Sequence, residues 1–226
     1  MRRFKLLEKS IGGFNFGELI VIGGRPYMKK ERLIEQIINA VVSDKVKALY
    51  LFNPINEYSN FKDYNIRLLS SSEDVDSLVD IIRKEVENNN LSIVFIDNIE
   101  RISYSSGWLS GNIRKEVASM LKRLAMSLHI PILVLSELSE KVETRQPNNP
   151  KPILKDLNGV EYFADKVILI NRPEYYGITE DAEGLETEDI YFMEIFKKDK
   201  TKSEVIRYEL KKNAIEFIEL GTAKYY

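Results

Sequence analysis

The residues best suited to chemistry lie in the run Gly23-Gly24-Arg25-Pro26-Tyr27-Met28-Lys29-Lys30-Glu31. An apolar segment, Leu19–Ile22, precedes it, and an apolar-periodic segment with Leu33, Ile34, Ile37, Ile38 and Val41 on one helical face follows. A strand feeding a glycine turn at a helix N-terminus is the layout of a phosphate-binding P-loop, where backbone N–H groups and a lysine cradle phosphates. The spacing requires Gly, four residues, Gly-Lys, then Ser or Thr. Gly24 and Lys30 meet it, with Arg25 and Pro26 inside the turn. Lys29 replaces the second glycine, and Glu31 replaces the metal-ligating hydroxyl. A side chain at 29 crowds the backbone approach to phosphate and is strained if φ is positive there. The carboxylate of Glu31 could ligate a metal, but its charge would face the phosphates' own; Lys30 could still hold an anion. Read without a ligand, the same stretch is an ordinary strand-to-helix turn with a favourable acid near the helix N-terminus. That second reading carries more weight for tight Mg-ATP binding.

A second candidate is Asp97, which closes the apolar run Ile93-Val94-Phe95-Ile96. An acid at the C-terminal end of a central strand can order the shell of a Mg²⁺ ion. Such an acid is common in α/β proteins, so Asp97 gains meaning only beside the phosphate turn.

These residues need a sheet to position them. Unalternating apolar runs at Leu19–Ile22, Ala48–Phe52, Ile93–Ile96, Ile132–Leu135 and Val167–Ile170 predict strands covered on both faces. Helical periodicity fills the intervals: Val75, Leu78, Ile82 and Val86 share one face, Val117, Leu121, Leu124 and Leu128 another. Residues 65–69 suggest a short extra strand. From Ile170 onwards the pattern changes to alternating strands over Tyr191–Phe196, Val205–Leu210 and Ala214–Ile218, read as antiparallel. The prediction is an α/β fold with a mostly parallel central sheet, helices on both faces and antiparallel C-terminal strands. Residues 1–11 read as a basic N-terminal arm or linker remnant, and 12–226 as the domain.

Composition closes other routes. The 226 residues include no cysteine and one histidine, His129, which excludes disulfides, thiolate metal sites, cysteine nucleophiles and histidine dyads. His129 itself, just before Ile130-Pro131, reads as a helix-end residue. A formal net charge of −2 leaves nucleic-acid attraction to local patches. No apolar run approaches the roughly eighteen residues of a membrane span, and a cytoplasmic location is expected.

The segments FNFGELIVIGGRP, VFIDNIERI, LKRLAMSLHIPILVLSELSEKVETR and FADKVILINRPEYYGITED, with the closing strands, resemble the RecA-type motor domain of the DnaB replicative helicases. The likeness is collinear from about Gly12 to Leu220. It implies a RecA-like P-loop NTPase fold, ATP and Mg²⁺ as cofactors, and Asp97 as the Mg²⁺-ordering acid, with Glu100 where the family often has Gln. Several functional positions depart from it. The family's catalytic glutamate falls on Ile55 in the simplest register, and Glu57 could serve only after a two-residue shift. The trans-acting Lys-x-Arg finger falls on Lys197 and Asp199 without gaps, or on Lys198 and Lys200 with one; a solvated hairpin turn is the plainer reading. An arginine finger contributes roughly 10³–10⁵ in rate, so an acid there is a serious loss. The DNA-binding loop, near Asp156 to Asp165, is shortened around Gly159 and lacks its Arg; Arg145, Lys151 and Lys155 are the nearby cations. Phe61, Tyr64, Tyr175 and Tyr176 could stack on bases, with core or interface packing the simpler expectation.

The expectation is therefore a DnaB-like domain with a degenerate P-loop and little or no ATP hydrolysis, acting as a binding or regulatory module. Its partners would be helicase subunits, other replication proteins or, weakly, single-stranded DNA. The alternative is an ATP-dependent helicase domain that works with unusual residues. The family's helical N-terminal domain has no counterpart in these residues, so a monomer or weak oligomer is expected.

Overall fold

The structure is a computed structural model that describes residues 4–52, 65–70, 74–103, 112–145, 151–198, 202–211 and 216–224. Its centre is a nine-stranded sheet in the order β3-β2-β4-β5-β1-β6-β7-β8-β9. The strands are β1 (Leu19–Gly24), β2 (Ala48–Phe52), β3 (Ile66–Ser70), β4 (Ile93–Ile96), β5 (Ile132–Glu137), β6 (Lys166–Asn171), β7 (Ile190–Phe196), β8 (Ser203–Lys211) and β9 (Glu216–Ala223). The first six are parallel, and β7 to β9 extend the sheet antiparallel. Buried residues on both sides of β1, β4, β5 and β6 explain why those strands read as unbroken apolar runs.

The helices are α1 (Lys5–Ile11), α2 (Lys30–Val41), α3 (Val75–Asn89), α4 (Ile113–Leu128) and the single turn α5 (Lys141–Thr144). One face of the sheet packs on α3 and α4 through Leu78, Ile82, Val117, Leu121 and their neighbours. The other packs on α1 and α2 through Leu7, Ile11, Leu33, Ile34 and Ile37. Local chemistry sets the helix ends. Asp74 caps α3 by accepting from the N–H groups of Asp76 and Ser77, and Asn112 caps α4 by accepting from that of Lys115. His129 closes α4 in the left-handed conformation, φ 55°, its N–H donating to Ala125 and Met126 carbonyls. It is the helix-end residue the sequence suggests.

The N-terminal segment differs from a free arm. Phe4, Leu7 and Ile11, at helical spacing, are buried in the same cluster as Tyr208 and Phe217. The backbone N–H groups of Leu6 and Leu7 donate to the Glu219 carboxylate on β9, at 3.0 and 2.9 Å. Helix α1 is thus fastened to the antiparallel extension.

Candidate functional site

Strand β1 ends at Gly24 and α2 starts at Lys30, so Arg25 to Lys29 form the connecting turn. A Cβ on Gly24 would lie 3.1 Å from Cδ of Lys30 and 3.3 Å from Cβ of Met28, so this glycine permits the turn to close over the lysine. Lys29 is the N-cap of α2 with φ 55° and ψ 33°, in the left-handed region. A glycine suits that geometry, and a lysine there costs about 1 kcal/mol. Two residues earlier Tyr27 is also left-handed, φ 67°. The turn retains the backbone shape of a cradle although the residue that makes it easy is missing.

Lys30 is 2% exposed, and its ammonium donates to the Arg25 carbonyl at 3.2 Å. Among the described residues it forms no ion pair with a carboxylate. A buried ammonium whose partner is one neutral carbonyl is suited to an anion. Arg25 is differently disposed: Nε pairs with Glu143 at 2.7 Å, and Nη1 donates to the Leu138 carbonyl at 2.8 Å. Its guanidinium ties the turn to the segment after β5.

Asp97 follows β4 and is 2% exposed. Its pKa is pushed up to about 6, first by burial and next by the charge of Glu31. Lys30, Arg101 and a long 3.5 Å hydrogen bond from the Tyr50 hydroxyl act the other way. The fold thus gathers Gly24, Lys29, Lys30, Glu31 and Asp97 at the C-terminal ends of the parallel strands. The anion-binding half suits phosphate. On the metal side, the Glu31 carboxylate stands where the resemblance implies a neutral hydroxyl, and its charge acts on Asp97. Glu100, three residues on, is partly buried, its pKa raised by burial against the opposing N–H of Glu137, Arg114 and Ser136. One of its oxygens accepts from Ser136 Oγ at 2.8 Å and from the Glu137 N–H at 2.9 Å, which makes it a brace between β4 and β5.

Other predicted positions fall elsewhere. Lys197 and Lys198 are exposed just beyond β7. Because Phe196 pairs with Val167 near the start of β6, they lie at the opposite end of the sheet from the cradle. Lys200, Asp199, Ile55 and Glu57 lie outside the described residues, as do Phe61 and Tyr64.

Arg145 forms a forked ion pair with the buried Asp156, one arm at 3.0 Å, and also donates to the Lys151 carbonyl. Lys151 pairs with buried Glu194 at 3.3 Å. Lys155 is exposed. Gly159 has φ +100°, and a Cβ there would lie 3.0 Å from Asn112 Nδ2, so it serves the turn beneath α4. Tyr176 packs against both core clusters, whereas Tyr175 is 41% exposed and stacks with Tyr27. Residue type and spacing alone assign no part to Tyr27 or Tyr50. Tyr27's place inside the phosphate turn is a usable signal; nothing in sequence connects Tyr50 with Asp97.

A twisted parallel sheet with an anion cradle at its strand ends and an antiparallel extension defines a RecA-like P-loop NTPase fold. The family model of the DnaB-like helicase C-terminal domain matches residues 52–219, and the chain belongs to that family. A probable plasmid replicative DNA helicase of Chlamydia psittaci is 34% identical over 113 residues, 47% of this chain and 24% of that protein. A probable replicative DNA helicase of Trieres chinensis is 29% identical over 213 residues, covering 75% of this chain and 46% of that one. The replicative DNA helicase DnaB of Rickettsia prowazekii is 28% identical over 221 residues, 75% and 45% of the two chains. This chain therefore spans less than half the length of these curated relatives. Among solved structures, one ATPase domain superposes with a TM-score of 0.79 at 18% identity, over 97% of this chain and 90% of that one. A DnaB-like replicative helicase, described with its interactions with primase, gives 0.78 at 18%, over 95% and 60%. At that identity the two structures speak for the fold.

Proposed function

We propose that this domain is a DnaB-type module that has little or no ATP hydrolysis and acts by binding. Its partners would be helicase subunits or other replication proteins, with weak affinity for single-stranded DNA, in the cytoplasm. The observation that carries this reading is the glutamate at position 31 of the turn, where a hydrolytic P-loop needs a Ser or Thr hydroxyl. Lys29 in left-handed backbone supports it, as does the forked pairing of Arg145 with Asp156, which occupies a cation otherwise open to DNA phosphate. Among the described residues no helix is long and apolar enough to cross a membrane.

One observation favours the second reading, an ATP-dependent helicase domain with unusual residues: the cradle keeps its backbone shape and its buried lysine. Phosphate release from ATP, with and without single-stranded DNA, separates the two. Background rates are expected; turnover stimulated by DNA overturns the proposal. Light scattering is expected to give a monomer or weak oligomer for this chain alone, and a stable hexamer would contradict that. Co-elution with a DnaB-type helicase tests the partner directly.

A further inference from the structure

Strand β9 ends the sheet, and its two faces are unlike. Phe217 is buried with Tyr191 and Tyr208, and Glu219 accepts from the first turn of α1. Ile218 and Leu220 alternate to the other face, where they are 38% and 49% exposed. Glu209 and Arg207 of β8 lie on that same side, Glu209 as the register partner of Ile218. Arg207 fastens the turn of residues 179–187 there, pairing with Asp181 at 3.2 Å and donating to the Glu186 carbonyl at 2.7 Å. Within the turn the Asp181 N–H donates to the Leu185 carbonyl at 2.9 Å, and the Leu185 N–H to the Asp181 carboxylate at 3.0 Å. Leu185 is thus presented by a closed turn and is 46% exposed.

Charge says what would cover these three aliphatic side chains. Residues 180–189 include six acids and no Lys or Arg. Asp181 is matched by Arg207, whereas Glu180, Glu183 and Glu186 are exposed and pair with no cation among the described residues. An apolar surface edged by carboxylates repels nucleic acid and favours a cationic partner. Strand addition to β9 is closed off. The Gln36 side-chain amide accepts from the Phe217 N–H at 2.7 Å and donates to the Phe217 carbonyl at 3.4 Å, and a bulge breaks the register at Arg207/Tyr208. The face itself remains, and it suits a helix laid across it. Resting on the reading of this domain as a binding module, we infer that Leu185, Ile218 and Leu220 dock an amphipathic helix of a partner protein. Its apolar side meets the three aliphatics, and its Lys and Arg residues meet Glu180, Glu183 and Glu186.

Fluorescence anisotropy on the full chain tests this with a labelled peptide of about eighteen residues, Leu and Lys at helical spacing, against the same composition in scrambled order. The amphipathic peptide is expected to bind about tenfold tighter than the scrambled one and to weaken as salt rises. Leu220→Ser, and Glu183→Lys combined with Glu186→Lys, should each weaken it about tenfold. Thermal melts confirm that these exposed substitutions leave the fold intact. Absence of binding, equal affinity for the two peptides, or indifference to Leu220 or to the two glutamates overturns the inference. So does a dimer in light scattering that Leu220→Ser disperses, since the occupant would then be a second copy of this chain. Phosphate release and co-elution with a DnaB-type helicase address the proposed function separately. Turnover would overturn that reading even where the peptide binds. Co-elution that Leu220→Ser leaves unchanged, with no peptide bound, would sink the inference and leave that reading standing.

Discussion

The phosphate turn and the segment from Arg145 to Asp165 are both loops at strand ends, and both carry cations that the family resemblance connects with phosphate. They treat those cations oppositely. In the second segment Arg145 is matched by Asp156 and Lys151 by Glu194, while Asp165 pairs with Lys122 at 2.6 Å and accepts from the Leu19 N–H. Every one of those carboxylates is buried. In the phosphate turn, the buried Lys30 ammonium donates to a carbonyl, and Asp97 feels the charge of Glu31 as well as those of Lys30 and Arg101. The first arrangement serves the fold, and in the second the burial of Asp97 outweighs the cations near it. Charge removal should therefore have opposite signs in the two places.

The largest effect is expected at Asp97. Its folded pKa of about 6 lies above the ordinary 3.8, so the folded chain holds a proton that the unfolded chain has already released. Stability falls as pH rises from about 4 through 6 and is level above that. Asp97→Asn removes this loss and should stabilise the domain by about 3 kcal/mol at pH 7, with the advantage vanishing near pH 4. Urea unfolding of both proteins from pH 4 to 8 gives the answer. A variant less stable at pH 7 would mean that Lys30, Arg101 and Tyr50 together favour the charge more than burial opposes it.

Arg145→Ala should act in the other direction. It strands the Asp156 carboxylate, whose side chain is 3% exposed, and should destabilise by about 2 kcal/mol, less than for a fully buried pair because Arg145 is partly solvated. If Arg145 instead holds DNA phosphate, stability will barely change and the salt dependence of single-strand binding will become shallower. Denaturation and binding at two salt concentrations separate these outcomes.

The unequal legibility of the two loops has a physical source. Runs such as Ile93–Ile96 and Ile132–Leu135 declare themselves because burial on both faces demands apolar side chains at every position, and the parallel sheet follows. Phe4, Leu7 and Ile11 also carry the spacing of a buried helix face, but the basic residues among them suggest an arm. The glycine spacing locates the cradle, and the mismatches at Lys29 and Glu31 are visible from residue type alone. Whether a lysine is free or paired is a matter of long-range contact. Arg145 and Asp156 are near in sequence, but Lys151 with Glu194 and Lys122 with Asp165 are joined only by the sheet. The Tyr27–Tyr175 stack is hidden for the same reason.

A smaller effect is expected from Lys29→Gly. Glycine accepts φ 55° at no steric cost, and a cation at the helix N-terminus is itself unfavourable, so the variant should gain about 1 kcal/mol. Should stability drop instead, the Lys29 side chain would have to hold something the backbone strain conceals.

The smallest effect is expected from Glu31→Gln, which tests the electrostatic core of the comparison. Burial is the main cause of Asp97's raised pKa and Glu31 the second, so removing the Glu31 charge should move the titration toward the ordinary carboxylate range without reaching it. Carboxyl carbon chemical shifts of Asp97 followed by NMR between pH 3 and 8 would record the move. The restoring double variant Lys29→Gly with Glu31→Thr then adds a functional reading. It should gain a thermal shift with Mg-ATP, because the hydroxyl and the open backbone return together; ligand at a hundred times its Kd adds about 2.7 kcal/mol. If Glu31→Gln leaves the Asp97 titration in place and the double variant gains no shift, Glu31 does not govern the metal side of the cradle, and the proposed lack of hydrolysis must rest on another strand end.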